Sequence, residues 1–540
     1  MLNDEVLMTS NAGEGGAGAE GRGVPFLAIP EAIRETARRH PEHLAVIHED
    51  VALTWREFDA RLDKVANALT EHGLLRGDKI AILAINSVEY LELFMGAVRA
   101  GVCVVPLSSM GQADACRDMI DDSDSQLIFV SEDFRSFIEP LLPQLGKLRQ
   151  DGCIAIDFSG QGWQDYPRWV AGASAQPCHT EIDPDDDFNI IYSSGTTGKP
   201  KGILHSHYLR SAMRSLGGPL EYDRETVSLV STPLFSNATL AGVLLTLQHG
   251  GTLVLMRKFD VTHFLRLAET WKVTHALLVP VQYQRILSHP AFRDYDLGSF
   301  RMKVSTSAPL RETIKRECLE RWPGRLMEVY TLTEGGIVAV LDAAAHPDKL
   351  HTVGRAGPGC VLKILGEDGQ ELGPGAIGQV VGRAPLMMKG YYKNPVKTRE
   401  LQWFDGDGSL FFRSGDMGKI DADGFLQLLD RQKDMIISGG FNVYPADIEV
   451  LLMRHPAVAD IAVIGIPSDE WGESAMALVV LRQPASVTPA ELMAWANSKL
   501  GKAERLAAVE IRESLPRSEI GKVLKRELRE PYWAGRAFAI

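Results

Sequence analysis

The apolar positions fall into two alternating patterns. "KIAILA" (79–84) is an apolar run of strand length. Ser87 then stands where a helix N-cap belongs, with Leu91, Phe94 and Val98 on one face of the helix that follows. "VCVVPL" (102–107) is the next strand and completes a strand–helix–strand unit. The pattern returns at "GTLVLM" (251–256), a helix over 261–271, and "THALLVP" (274–280). Such alternation predicts α/β layers built on largely parallel sheets.

After about residue 350 the pattern changes. "VLKILGEDGQELGPGAIGQVVGR" (361–383) has short β-like runs broken by glycines, which predicts a small antiparallel β subdomain. A last segment starts near Asp434, with a helix in "ADIEVLLMRH", strands in "IAVIGIP" and "AMALVVL", and a helix in "TPAELMAWANSKL". It is long enough for an independent α+β domain. The charged run "DRQKD" (430–434) is the seam.

Composition narrows the class. A chain of 540 residues is too long for one core. Apolar content of 45% is ordinary for a soluble globular protein. A net charge of −13 argues against nucleic acid as a partner. The six cysteines are scattered with no C-x-x-C pair, which fits a reduced, cytoplasmic compartment rather than a zinc or disulfide scaffold. No apolar run reaches membrane-spanning length, so no integral membrane segment is expected. The start of the chain lacks the apolar stretch of a signal peptide, and its Gly/Ala-rich run over 10–23 is expected to be disordered.

"YSSGTTGKPKG" (192–202) follows the apolar run "FNIIY" (188–192). A glycine-rich loop leaving a buried strand can turn its backbone N–H groups onto a phosphate. It is not the nucleoside triphosphatase P-loop. Gly195 and Gly198 have two residues between them rather than four, and Lys199 precedes Pro200 rather than Ser or Thr. Proline also disfavours a helix starting at Lys199.

Together with five further motifs in order, this loop resembles the adenylate-forming superfamily, in its acyl-CoA synthetase branch. "STSAPL" (305–310) resembles the family's adenine-side turn, and "YTLTE" (330–334) its Y-G-x-T-E. "SGD" (414–416) resembles T-G-D, "DRQKDMIISGGFNVYPADIE" (430–449) the hinge and following loop, and "LPRSEIGKVLKREL" (515–528) the C-terminal lysine segment. The resemblance covers nearly the whole chain from about residue 28.

It implies an α/β fold: a large N-terminal domain of layered α/β subdomains plus a β subdomain, and a small mobile α+β C-terminal domain. The expected divisions are a disordered segment 1–27, an adenylation domain 28–430, a hinge 431–433 and a mobile domain 434–540. The implied reaction is ATP-dependent ligation of a carboxylic acid to coenzyme A through an acyl-AMP, releasing AMP and pyrophosphate. The alternative is an adenylation enzyme that loads a non-amino-acid acyl group onto a carrier protein. A carboxylate resists nucleophiles because of its charge, and its anhydride with AMP does not. Bringing it to an anionic triphosphate requires donors and cations where charge develops.

By resemblance, Ser193, Ser194, Gly195, Thr196 and Thr197 hold the β- and γ-phosphates. Ser307, Ala308, Pro309, Tyr330 and Thr331 lie along the ATP. Asp416 and Arg431 bind the ribose hydroxyls, Thr333 bonds the α-phosphate and Glu334 holds Mg²⁺. Lys522 reaches the α-phosphate and the acid as a point charge. Lys433 is the hinge, Gly439 and Gly440 line the coenzyme A channel, and Phe235, Ser236 and Gly335 line the acyl pocket. The partner is a small carboxylic acid, and a homodimer is compatible.

The chain departs from the family at three places. Thr331 replaces a glycine that lies against the acyl group in relatives. Ser236 replaces a common histidine and also the Asp that amino-acid-loading modules use, so it offers no charge to a substrate ammonium. Thr306 and Ser307 stand where glycines are common.

Overall fold

The computed structural model describes residues 24–108, 113–193, 200–431, 434–438, 441–468, 471–483, 487–501, 504–518 and 521–534. The strand Lys79–Leu83 lies parallel to Cys103–Pro106, joined by the helix Val88–Arg99. Ser87 caps that helix, its Oγ accepting from Tyr90 N at 3.1 Å. The expected strand–helix–strand unit is therefore present, with its ends shifted by a residue.

This pair belongs to an eight-stranded sheet, parallel except for the antiparallel hairpin of Asp187–Ser193 with Lys201–Ser206 and the short edge strand Gly390–Tyr391. A nine-stranded sheet holds, side by side, Thr252–Leu255, Val227–Val230, His275–Leu278, Met302–Ser305 and Arg325–Thr331, all parallel. The helices Trp55–Glu71 and Val88–Arg99 lie between the two sheets in one core with Val46, Leu253, Ile80 and Val104. Their axes come close at Gly96, where a Cβ would stand 2.5 Å from Val65 Cβ.

The glycine-rich region after residue 350 forms a five-stranded antiparallel sheet around Val361–Leu365, Gly378–Arg383 and Leu410–Ile420. The last segment forms its own sheet, with the long hairpin Val458–Ser468 and Gly472–Leu481 at its centre. The helices Pro445–Leu452 and Pro489–Asn497 close its core through Ile448, Leu452, Leu492 and Ala496. The fold class is as expected.

Two details bear on the site. The run "GTTGK" lies outside the described residues, but a strand follows it rather than a helix. Ser193 pairs with Lys201 and Tyr192 with Gly202, so both ends of the phosphate-loop candidate are tied to one hairpin. At the amino end the chain is already fixed at Leu27, inside the segment expected to lack structure. Leu27 N donates to Ser211 Oγ at 3.2 Å, and Ser211 Oγ donates to Leu27 O at 2.6 Å.

Candidate active site

The parallel strands of the nine-stranded sheet all present their carboxyl ends to one edge, where open α/β sheets bind ligands. Thr306–Pro309 leave Met302–Ser305 there, and Leu332–Glu334 leave Arg325–Thr331. Thr306 Oγ1 donates to Val329 O at 2.9 Å and ties the two exits together. Ser307 has φ +75°, the left-handed region that favours glycine, so the family's backbone course is kept without the glycine.

Asp416 is 6% exposed and holds two partners. Tyr330 Oη donates to its Oδ2 at 2.5 Å, and Arg431 Nε meets its Oδ1 at 2.7 Å. Asp416 and Arg431 also face each other across neighbouring strands. Burial, then the adjacent carboxylate, pushes the Tyr330 hydroxyl well above its usual range, so it stays a donor. Asp416 N also donates to Ser414 Oγ at 2.9 Å, which fixes its backbone. Three residues from three motifs thus form one acceptor–donor cluster suited to vicinal hydroxyls.

Glu334 is half-buried, and its Oε1 accepts from Tyr391 Oη at 2.8 Å. Mg²⁺ takes one or two carboxylates plus phosphate oxygens and water rather than an all-protein cage. Glu334 offers one partly accessible carboxylate of that kind, oriented by Tyr391. Gly335 has φ +72°, and a Cβ there would lie 2.2 Å from Leu386 O. Its missing side chain serves that close backbone approach rather than opening a space for substrate.

Thr331 is exposed and Thr333 half-buried. The Thr333 carbonyl accepts from His205 Nε2 at 2.8 Å. Burial, then Arg210, holds the His205 imidazole well below its usual pKa. It is neutral, and its Nδ1 accepts from Arg210 Nη2 at 2.9 Å, which places the proton on Nε2. Sequence reading missed His205, Arg210 and Tyr391. His205 and Arg210 fall on apolar-patterned elements, and a polar residue at a core position was the available signal.

The segment carrying Lys522 comes from the last domain and packs on this edge. A Cβ on Gly521 would stand 2.5 Å from Val281 Cγ1, and Val281 follows the strand His275–Leu278. Arg517 Nη1 donates to Gly521 O at 2.6 Å and shapes the turn. Asp460 accepts from Arg517 at 2.5 Å and also meets Arg311 Nη2 of the larger domain at 3.5 Å. Near the seam, Asp430 Oδ2 accepts from Ala446 N at 3.0 Å and lies 3.7 Å from Lys525 Nζ. Lys433, Gly439 and Gly440 lie outside the described residues, as do Ser194, Gly195, Thr196 and Thr197; Ser193 ends the strand before them.

The fold is thus a layered α/β body with a small second domain set on its strand-end edge and a carboxylate–guanidinium pair, Asp416 with Arg431. The profile of the AMP-binding enzyme family matches residues 33–392, and that of the AMP-binding enzyme C-terminal domain matches residues 447–522. The chain is 33% identical to a feruloyl-CoA synthase of Amycolatopsis sp, over 92% of this chain and 97% of that one. It is 31% identical to the fatty acid–[acyl-carrier-protein] ligase ScoC of Streptomyces coeruleorubidus, over 93% and 96%. The crystal structure of ATP-bound MatB from Rhodopseudomonas palustris superimposes with a TM-score of 0.83 at 30% identity, over 94% of this chain and 99% of that one. The chain belongs to the AMP-binding enzyme family, in its acyl-CoA synthetase branch. It is an AMP-forming acid–thiol ligase that uses ATP and coenzyme A. Its six cysteines are free, and among the described residues no helix is long and apolar enough to cross a membrane.

Proposed function

We propose that the cluster at the strand-end edge makes an acyl-AMP and that the same edge then receives the thiol of coenzyme A. In the first step a carboxylate oxygen of the acid attacks the α-phosphorus of ATP. The bond from that phosphorus to the β-bridging oxygen breaks, and pyrophosphate leaves. Asp416, held by Tyr330 and Arg431, accepts from the ribose hydroxyls. The turn Ser307–Pro309 lies along the base, and Thr333 donates to the α-phosphate. Ser193 and the residues after it hold the outer phosphates. Lys522 offsets charge on the α-phosphate and the acid as the bond forms. Glu334 would hold Mg²⁺, which supplies positive charge between the phosphates.

In the second step the thiol sulfur adds to the acyl carbonyl, and AMP leaves with the electron pair of the anhydride bond. Gly439 and Gly440 line the thiol's path in this reading. The observation that supports it most is the seating of the Gly521–Lys522 turn on Val281, because it brings a lysine of the small domain to the edge where Tyr330, Thr333 and Glu334 lie. Ser236 carries no charge to meet a substrate ammonium, which argues against α-amino acids as substrates.

The test is pyrophosphate release over a panel of carboxylic acids, with and without coenzyme A. Acid-dependent release, and thioester only when coenzyme A is added, is the expected result. Release with no acid, or best with an L-amino acid, would overturn the reading. If acyl-AMP forms but only a carrier protein accepts the acyl group, the carrier alternative replaces coenzyme A as acceptor.

A further inference from the structure

Arg210 is 1% exposed, and no carboxylate lies within ion-pair distance of it among the described residues. Its donors go to neutral acceptors. Nε donates to Asn189 Oδ1 at 2.9 Å, and Nη2 donates to His205 Nδ1 and Asn237 Oδ1, each at 2.9 Å. Nη1 meets only Met213 Sδ, at 3.9 Å. Burial pulls the guanidinium pKa down to about 9, still above neutrality, so a cation sits in the interior without a counter-charge.

Asn237 is the partly exposed side chain of this network, whereas Asn189, His205 and Arg210 are buried. It is the first residue of the helix Asn237–His249, directly after Phe235 and Ser236. A guanidinium only donates, so the Asn237 atom that faces it must be the oxygen. The amide cannot flip, and Nδ2 points away from Arg210. Among the described residues Nδ2 has no hydrogen-bond partner, and it is not sealed in the interior. Ser236 caps the helix without a side-chain bond, so its hydroxyl is not spent there either. In this helix Asn237, Ala238 and Ala241 are half-buried, whereas Thr239, Leu240 and Gly242 through Gln248 are buried. One side of its first turns, carrying two small residues and one fixed amide donor, is therefore left partly open. The same network ends on the Thr333 carbonyl, which ties Asn237 through Arg210 and His205 to the catalytic segment.

We propose that the acid this ligase activates carries an acceptor oxygen distant from its reacting carboxylate, and that Asn237, oriented by Arg210, donates to that oxygen. The oxygen belongs to a hydroxyl, a carbonyl or a second carboxylate. The inference rests on the acyl site lying at the start of the helix Asn237–His249. A plain hydrocarbon tail there would leave two N–H donors unpaired in front of a buried cation, whereas an acceptor oxygen pairs with them and is drawn by the unscreened charge behind. Sites built to hydrogen-bond a substrate group discriminate strongly against analogues lacking it.

The experiment compares acids in matched pairs by kcat/KM for pyrophosphate release. Each pair has one carbon skeleton: an alkanoate against its hydroxy or oxo derivative, an aryl-propanoate against its ring-hydroxylated form, and a monocarboxylate against the dicarboxylate. The first two pairs test a neutral oxygen, and the third an anionic one. The expected result is at least a tenfold preference for the oxygenated member in at least one pair. Asn237→Asp keeps the oxygen that Arg210 holds and replaces the donor by an acceptor, so it should cut that preference at least tenfold. Asn237→Leu should do the same, and thermal denaturation reports whether either variant is folded. A merely structural role for Asn237 would lower both members of a pair alike. Preference for the hydrocarbon member in every pair, or an unchanged ratio in folded Asn237→Asp, would overturn the inference while leaving the reaction intact. Absence of pyrophosphate release with every acid, in a protein that binds ATP, would instead overturn the proposed reaction.

Discussion

Tyr330 and Asp416 are 86 residues apart and share a hydrogen bond of 2.5 Å, the phenol donating to a carboxylate 6% exposed. That bond takes Oδ2 while Arg431 lies on Oδ1, so the carboxylate is held in one orientation and each oxygen keeps a lone pair for a ligand. Tyr330→Phe should leave Asp416 Oδ2 without its partner, at a cost of about 1–3 kcal/mol. The expected outcome is roughly tenfold weaker ATP binding by calorimetry, with little change in KM for the acid. Equal weakening for acid and ATP would mean that the cluster does not address the nucleotide alone.

In the proposed reaction the small domain takes two placements, and the charge of Lys522 acts only while AMP is being transferred. Lys522→Ala should depress acyl-AMP formation by roughly 10²–10³, the scale for one lost electrostatic donor. Thioester formation from acyl-AMP supplied ready-made should be largely spared. Single-turnover assays of each half-reaction make the comparison, and equal loss in both would sink the idea of two placements.

Gly521 combines a φ of +74° with a Cβ position 2.5 Å from Val281 Cγ1. Gly521→Ala should impair docking of the Lys522 turn and lower acyl-AMP formation, while the melting temperature changes little. The second substitution Val281→Ala removes the clash and should restore part of the rate. The left-handed backbone would still cost about 1–2 kcal/mol, so restoration should be incomplete. No recovery in the double variant would show that the contact does not govern docking.

Asp430 links the larger domain to the smaller one. Burial raises its carboxyl to about 6, despite the opposing pull of Lys525. A carboxyl raised on folding adds stability that is full below its unfolded pKa near 3.8 and is lost as pH rises through about 6. Asp430→Asn resembles the protonated form. It should be more stable than the parent by about 1–3 kcal/mol at pH 8, and the gap should shrink by roughly half at pH 5, closing only below the unfolded pKa near 3.8. Urea denaturation at the two pH values measures it, and a gap that does not change with pH would refute the assignment.

The pattern of apolar runs was enough to place individual elements. Lys79–Leu83, Cys103–Pro106 and the Ser87 cap follow from strand-length runs and one well-placed hydroxyl. Pairing was harder to read. Nothing local in Ser193 or Lys201 says that they face each other in a hairpin, because register is set by the sheet as a whole. The site divides in the same way. Asp416, Glu334 and Lys522 stand inside motifs and could be singled out by resemblance. Tyr391, whose hydroxyl binds Glu334 from 57 residues away, has no local signature. Arg210 was passed over for another reason: arginine is rarely buried, and the neutral acceptors that make its burial tolerable come from three separate elements.

The tie between Asp460 and Arg311 is long, at 3.5 Å, and both side chains are partly open to water. Exposed ion pairs of this kind contribute about 0–1 kcal/mol. Such a tie biases orientation without trapping it. If one small domain presents two faces in each cycle, as proposed, a deep well for either face would become the slow step. A fastener this weak lets the pose be chosen by whatever ligand fills the cleft, so that substrate occupancy, rather than the protein's own adhesion, sets the timing of the exchange.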